Sequence, residues 1–252
     1  MNLYSDYDYL CNEPFFLEGI GHVKCPTLRE IRQIHYSIFS IYVNILSMNL
    51  QDYLEFDEIS QAYNHLTEAE QASITFFDTL LLSEPQLLYS ILRFFFIDPV
   101  EYDARHHSFQ VLYQDETATA GQTGVIDRTN FDDFRSFLKQ ILGIARAEET
   151  AQKFKNDYAE KIYQKMQAHK RQEEAKQDSN LTLDNMIRKY CTHNKVGVNI
   201  LNVWDMTYYQ FIVMFNEYRN GRQYDYYDQM AANTFSYTKS SDYKPMDYMK
   251  KI

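Results

Sequence analysis

The sequence predicts a mainly α protein: a helical N-terminal domain with a small β-hairpin, a charged helix and linker, then a small helical C-terminal domain. Three observations carry this. Apolar residues recur every three or four positions along most of the chain, the period of one helix face. Charge is segmented. Residues 1–144 carry 8 Lys+Arg and 21 Asp+Glu, a net of −13, whereas 145–180 carry 8 and 7 and 181–252 carry 9 and 7. An acidic body thus precedes a near-neutral remainder, which suggests units with different surfaces. Gly 7 and Pro 5 are few for 252 residues, against a loop-rich chain. The boundaries follow as 1–144, 145–180 and 181–252.

Residues 1–26 read as a short irregular or extended arm, with Cys11 and Phe15-Phe16-Leu17 packing before Gly19, Gly21 and Pro26. Thr27 then opens a helix, with Glu30 completing a capping box. Ile31, Ile34, Ile38, Ile41, Tyr42 and Ile45 keep the helical period and predict one helix from about 28 to 49. An acidic connection follows, with a helical turn at Phe56 to Tyr63. Thr67 with Glu70 predicts a helix to about Leu82. Ser83 with Gln86 predicts the next, with Pro85 in its first turn, where the missing N–H costs little. Leu87 to Ile97 is apolar nearly all round, which marks a buried helix at the centre of the core.

Phe109, Val111 and Tyr113 alternate with polar residues as a half-buried strand does, and Val125-Ile126 supplies a second strand across a glycine-containing turn. Asn130 with Asp133 caps a helix over 131–142, whose Phe134, Phe137, Leu138 and Ile141 face inward. Residues 145–169 form a charged amphipathic helix with a narrow seam through Phe154, Tyr158 and Ile162, suited to a helix–helix contact. The seam fades over 170–180, the linker. Thr182 with Asn185 opens a short helix through Met186, Ile187 and Tyr190. Ile200, Val203 and Trp204 predict a short helix ending near Asp205 or Met206. Thr207 with Gln210 is another capping box, and behind it Phe211, Met214, Phe215 and Tyr218 share one face. Asn220-Gly221 predicts the end of that helix, and Tyr224 to Phe235 a further one.

The chemistry-bearing residues do not assemble into an active site by spacing. Cys191 with His193, and the pair His106-His107, are too few to close a zinc site. His22 and Cys25 match a thiol–imidazole pair only loosely. Gly19-x-Gly21 and Gly121-x-x-Gly124 lack the strand, helix and third residue of a phosphate loop. Asp52, Glu55, Asp57 and Glu58 read as a solvated acidic connection. No catalytic residue, metal or cofactor is expected. Three widely spaced cysteines suggest a reducing compartment rather than a disulfide framework. The densest apolar run is too short to span a bilayer, so no membrane role is expected. The short helix, turn and longer helix around Met206-Thr207 also fit a DNA-binding helix-turn-helix, the alternative reading. Its second helix begins TYYQFIVMFNEY, with few cations to offer phosphates, so nucleic acid is not expected.

VWDMTYYQFIVMFNEY, preceded by TLDNMIRKY and followed by a tail ending in Lys-Lys-Ile, resembles the C-terminal part of tail assembly chaperones of long-tailed phages of Gram-positive bacteria. Pro26-Thr27-Leu28-Arg29-Glu30-Ile31 is similar to the helix start of their upstream part. The resemblance is loose over most of the chain and best over about residues 180–220. It implies the long product of that family, made by a ribosomal frameshift that appends the C-terminal part to a shared N-terminal domain. The shared domain would bind the tape measure protein and the extension would recruit the major tail (tube) protein. It also implies a homo-oligomer acting in the host cytoplasm and absent from the mature virion. Trp204, Tyr208, Phe211 and Phe215, with Phe154 and Tyr158 on the charged helix, are the candidate partner-binding residues. For Trp204 and Phe211 a plain core position is the stronger expectation.

Overall fold

The computed structural model describes residues 4–54, 63–113, 122–144 and 181–232. They are mainly helical, with two small antiparallel sheets. The chain divides into two compact units: Met1–Ala147 with Trp204–Gln210, and Glu148–Val203 with Phe211–Ile252. Residues 204–210, expected from the sequence in the C-terminal domain, therefore cluster with the first unit.

The first unit opens with a 3-10 turn, Asp8–Leu10, and then the hairpin β1 (Phe15–Leu17) and β2 (Gly21–Val23). The sequence predicts only an extended arm here, because strands of three residues leave too short an alternation to register. Leu17 and Val23 are fully buried and face the core. The predicted helix 28–49 is two helices, α1 (Leu28–Ile34) and α2 (Tyr36–Ser47), broken at His35 with φ 70°. No Pro or Gly marks this break. It lets the segments bury different faces: α1 buries Leu28 and Ile31, whereas α2 buries Phe39, Tyr42, Ile45 and Leu46. Ile38 and Ile41, part of the predicted stripe, are left exposed at 38% and 45%.

A short helix α3 (Leu50–Leu54) follows. The predicted turn beginning at Phe56 falls largely outside the described residues. Thr67 and Glu70 form their capping box, but the helix they open is only α4 (Glu68–Ser73). A second box, Thr75 with Asp78, starts α5 (Phe76–Ser83) within what reads as one helix. The predicted Ser83 cap is not made. Ser83 Oγ donates to the Thr79 carbonyl instead, and α6 (Pro85–Phe95) starts from Glu84 with Pro85 in its first turn. Leu88, Ile91, Leu92 and Phe95 are buried on α6, while Arg93 is exposed, so its burial is one-faced rather than complete.

Three strands follow: β3 (Val100–Asp103), β4 (Ser108–Tyr113) and β5 (Gln122–Ile126), antiparallel in the order β3-β4-β5. The predicted hairpin is β4 with β5, in the register Phe109 to Ile126. Strand β3 is not predicted. Helix α7 (Phe131–Ile141) buries Phe134, Phe137, Leu138 and Ile141 as expected. Asn130 precedes it without a side-chain cap on Asp133; its amide instead bonds Asp127 N and the Val125 carbonyl. Rings from these elements interlock, among them Phe96 stacked on Phe134 at 5.1 Å and Phe77 against Phe131 at 5.2 Å. Such pairs add about 1 kcal/mol beyond the area they bury.

The second unit contains α8 (Leu183–His193), a loop with Gly197 at φ 82°, and the long helix α9 from Phe211 onward. Helix α9 (Tyr208–Ala232) runs through Asn220-Gly221 without ending there. Glycine inside a helix costs about 1 kcal/mol against alanine, which lowers stability without stopping the helix. The predicted helix 145–169, the linker 170–180 and the tail from 233 lie outside the described residues.

Candidate functional site

Two features involve the predicted residues. The first begins from two capping boxes nearly two hundred residues apart. Thr27 Oγ1 accepts from Glu30 N at 3.2 Å, and the Glu30 carboxylate accepts from Thr27 N at 2.8 Å. Thr207 Oγ1 accepts from Gln210 N at 3.1 Å, and Gln210 Oε1 accepts from Thr207 N at 2.9 Å. A helix cap has extended backbone, so its flanks remain able to pair with another segment. Here the two caps pair with each other. Thr27 and Thr207 form an antiparallel bridge, Leu28 N donates to the Met206 carbonyl at 3.0 Å, and Tyr208 N donates to the Pro26 carbonyl at 2.8 Å.

Side chains close over this junction. Arg29 reaches Asp205 at 2.7 Å, an exposed pair that contributes at most about 1 kcal/mol. Gln210 Nε2 donates to the Leu10 carbonyl at 2.7 Å. Tyr208 packs edge-on against Phe39 at 5.1 Å, and Tyr209 against Tyr9 at 5.5 Å. Burial pushes the Tyr208 phenol up to about 12. Cys25 lies beneath, its thiol donating to the Ile141 carbonyl at 3.0 Å. Burial raises that thiol to about 11, leaving it protonated and unreactive at neutral pH. Cys25 and His22 therefore do not act as a thiol–imidazole pair: His22 Nδ1 is 3.0 Å from Asp98 Oδ2 instead. Trp204 lies in the 3-10 turn Val203–Asp205 and is half-buried.

The second feature is the aromatic core of the second unit. Phe211 is fully buried, and Phe215 is 5% exposed. Tyr190 of α8 meets Phe211 at 6.0 Å and Tyr218 at 5.7 Å, both edge-on, and Phe215 stacks on Phe211. Beside this core a cleft of about 350 Å³ is lined by Leu181, Asn185, Met186, Lys189, Phe215, Tyr218, Arg219 and Arg222. Phe215 and Tyr218 belong to its lining, while Lys189, Arg219 and Arg222 are exposed. Of the predicted residues only Phe215 lines it. Arg219 and Arg222 are not predicted, although 215, 218, 219 and 222 form one stripe at helical spacing. Phe154 and Tyr158 lie outside the described residues. Among the described residues no group of three or more His, Cys, Asp or Glu is placed to hold a metal ion.

The second unit is thus defined as a small aromatic-cored helical module carrying a mixed apolar and basic cleft. Residues 170–252 match the family model of the YomV second domain, so this part of the chain is similar to that family. No curated protein and no solved structure matches the chain.

Proposed function

We propose that this protein is a phage tail assembly chaperone. In this reading it binds the tape measure protein through its acidic N-terminal part and recruits tail tube subunits through its C-terminal part. The match of residues 170–252 to the YomV second domain supports a phage-type protein. One observation carries the finer reading. The two stretches that resemble the chaperone family, Pro26-Thr27-Leu28 and Met206-Thr207-Tyr208, are hydrogen-bonded to each other as paired helix starts. That pairing joins the two resembling stretches within the first unit.

The physics suits the role. A tape measure protein is a long helical polymer whose apolar surface aggregates until a tube encloses it. Its chaperone needs many copies, a soluble acidic body and apolar contacts that can be displaced, and it needs no chemical step. Exposed Tyr36, Ile38 and Ile41 on the first unit provide contacts of that kind. The protein acts as a homo-oligomer in the host cytoplasm and is left out of the finished virion. Co-expression with the tape measure protein of the same genome tests this. The tape measure is expected to move into the soluble fraction and to co-purify. A tape measure equally insoluble with and without this chain overturns the reading.

A further inference from the structure

We infer that the cleft between α8 and α9 is a docking groove for an acidic amphipathic helix of another protein. This rests on the reading above, that the protein works by docking other proteins, and names the chemistry of one partner. The lining argues it. The cleft is lined by apolar Leu181, Met186, Phe215 and Tyr218 and by the cations Lys189, Arg219 and Arg222. Among the described residues none of these three cations makes an ion pair, whereas Arg188 pairs with Asp184 and Lys195 with Asp225. Leu181 is 43% exposed, so apolar surface remains for a partner to cover.

Charge decides the class of partner. Helices α8 and α9 carry four cations, Arg188, Lys189, Arg219 and Arg222, against four anions, Asp184, Glu217, Asp225 and Asp228. The pair is neutral overall, yet three of the four cations gather at one cleft. Nucleic-acid binders neutralise phosphates spread along a backbone with Lys and Arg. Three cations in an aromatic and aliphatic lining instead match a helix with large apolar anchors on one face and carboxylates flanking them. Rim charges set partner choice and encounter rate, while the apolar anchors hold the complex.

The test uses the full chain and a labelled synthetic helical peptide of about 16 residues, long enough to fold in a groove. It carries Leu and Phe on one face and Glu on the other, and binding is read by fluorescence anisotropy. The acidic peptide is expected to bind and to weaken as salt is raised. The double variant R219E/R222E, both exposed and so tolerant of change, is expected to lose about tenfold or more in affinity. The same variant is expected to gain binding to a matched peptide with Lys in place of Glu. A peptide with Ala in place of Leu and Phe is expected to lose binding. Equal affinity of wild type and R219E/R222E for the acidic peptide overturns the inference. So does undiminished binding of the Ala peptide, or binding of a DNA duplex of about 20 base pairs that R219E/R222E abolishes. Failure here with the tape measure still solubilised removes the groove and leaves the chaperone role. Peptide binding with an insoluble tape measure removes the role and leaves the groove.

Discussion

The two units differ in the contacts that join their own segments. In the first, ring contacts are accompanied by backbone hydrogen bonds between distant segments: Lys24 N to the Phe95 carbonyl, Ile97 N to the His22 carbonyl, Val125 N to the Gly19 carbonyl, and the paired caps at Thr27 and Thr207. In the second, α8 and α9 meet through rings, and among the described residues no backbone hydrogen bond joins them. Backbone bonds fix spacing to within tenths of an ångström. Ring contacts tolerate small shifts at modest cost. The first unit therefore reads as a rigid body, and the second as an adaptable face, which suits a groove.

The contrast is broken most directly at Gly124. A side chain there would place its Cβ 2.2 Å from the Ile20 carbonyl oxygen, so backbone would have to move. Gly124→Ala is expected to destabilise the first unit by on the order of 4 kcal/mol or more, among the largest effects of a single methyl. Urea denaturation followed by Trp204 emission reads this, because the sole tryptophan belongs to that unit. An unchanged midpoint would mean that the turn at Ile20 does not lie on β5.

The matching perturbation of the second unit is Phe211→Ala. It empties a fully buried ring site between Tyr190 and Phe215. The expected cost is about 3–4 kcal/mol, read as helix loss by far-ultraviolet circular dichroism in urea. Phe211→Leu keeps most of the volume and is expected to recover more than half of that loss. A negligible effect of Phe211→Ala would show the ring contacts to be dispensable and the contrast to be misplaced.

Alkaline pH sharpens the comparison at Cys25. Burial holds its thiol at about 11 in the folded chain, above the ordinary value of 9.0. The unfolded chain therefore loses this proton first. The stabilisation is fully present below pH 9 and is lost as pH rises toward 11, because the unfolded state then binds fewer protons. A difference of that size between the folded and unfolded thiol is equivalent to about 2–3 kcal/mol. Stability of the wild type is expected to fall between pH 9 and 11, and Cys25→Ala to flatten that fall. Parallel curves for the two proteins would place the alkaline loss elsewhere, for instance at Tyr208.

What is legible in the sequence follows the range of the interactions. Capping boxes at Thr27, Thr67 and Thr207 are legible because cap and partner are three residues apart. Thr75 with Asp78 is not, since a continuous apolar period conceals a new helix start. The break at His35 is not legible at all: it serves packing of α1 and α2 against different neighbours, and no local residue demands it. β1, β2 and β3 escape because strands of three or four residues carry almost no alternation. At the candidate site Phe215 is legible as part of a stripe. Arg219 and Arg222 read only as too few cations for DNA, because the cleft that gathers them with Lys189 exists only once α8 lies beside α9. That Thr27 and Thr207 meet cannot be read from two similar local motifs.

The paired caps predict a graded effect. Thr207 is 1% exposed, and its hydroxyl satisfies the Gln210 N–H. Thr207→Ala is expected to cost about 1 kcal/mol, and Thr207→Ser clearly less, since Ser keeps the acceptor. Trp204 emission in urea again reads it, from three residues before Thr207 in the chain. Equal midpoints for Ala and Ser would show that the methyl, not the cap, is what matters at this position.

The smallest effect has the opposite sign and tests the adaptable unit. Gly221 sits inside α9, and a Cβ there would meet nothing within 4 Å. Its backbone is helical, so alanine fits without strain. Gly221→Ala reduces the freedom of the unfolded chain and is expected to stabilise the second unit by about 0.5–1 kcal/mol. The same residue also adjoins Arg219 and Arg222 on the cleft, where a stiffer helix would adapt less readily to a docked partner. Stability and acidic-peptide affinity are therefore expected to move apart in this variant: a higher urea midpoint with equal or weaker binding. A Gly221→Ala protein that is less stable than the wild type would mean that α9 is not one continuous helix through this position.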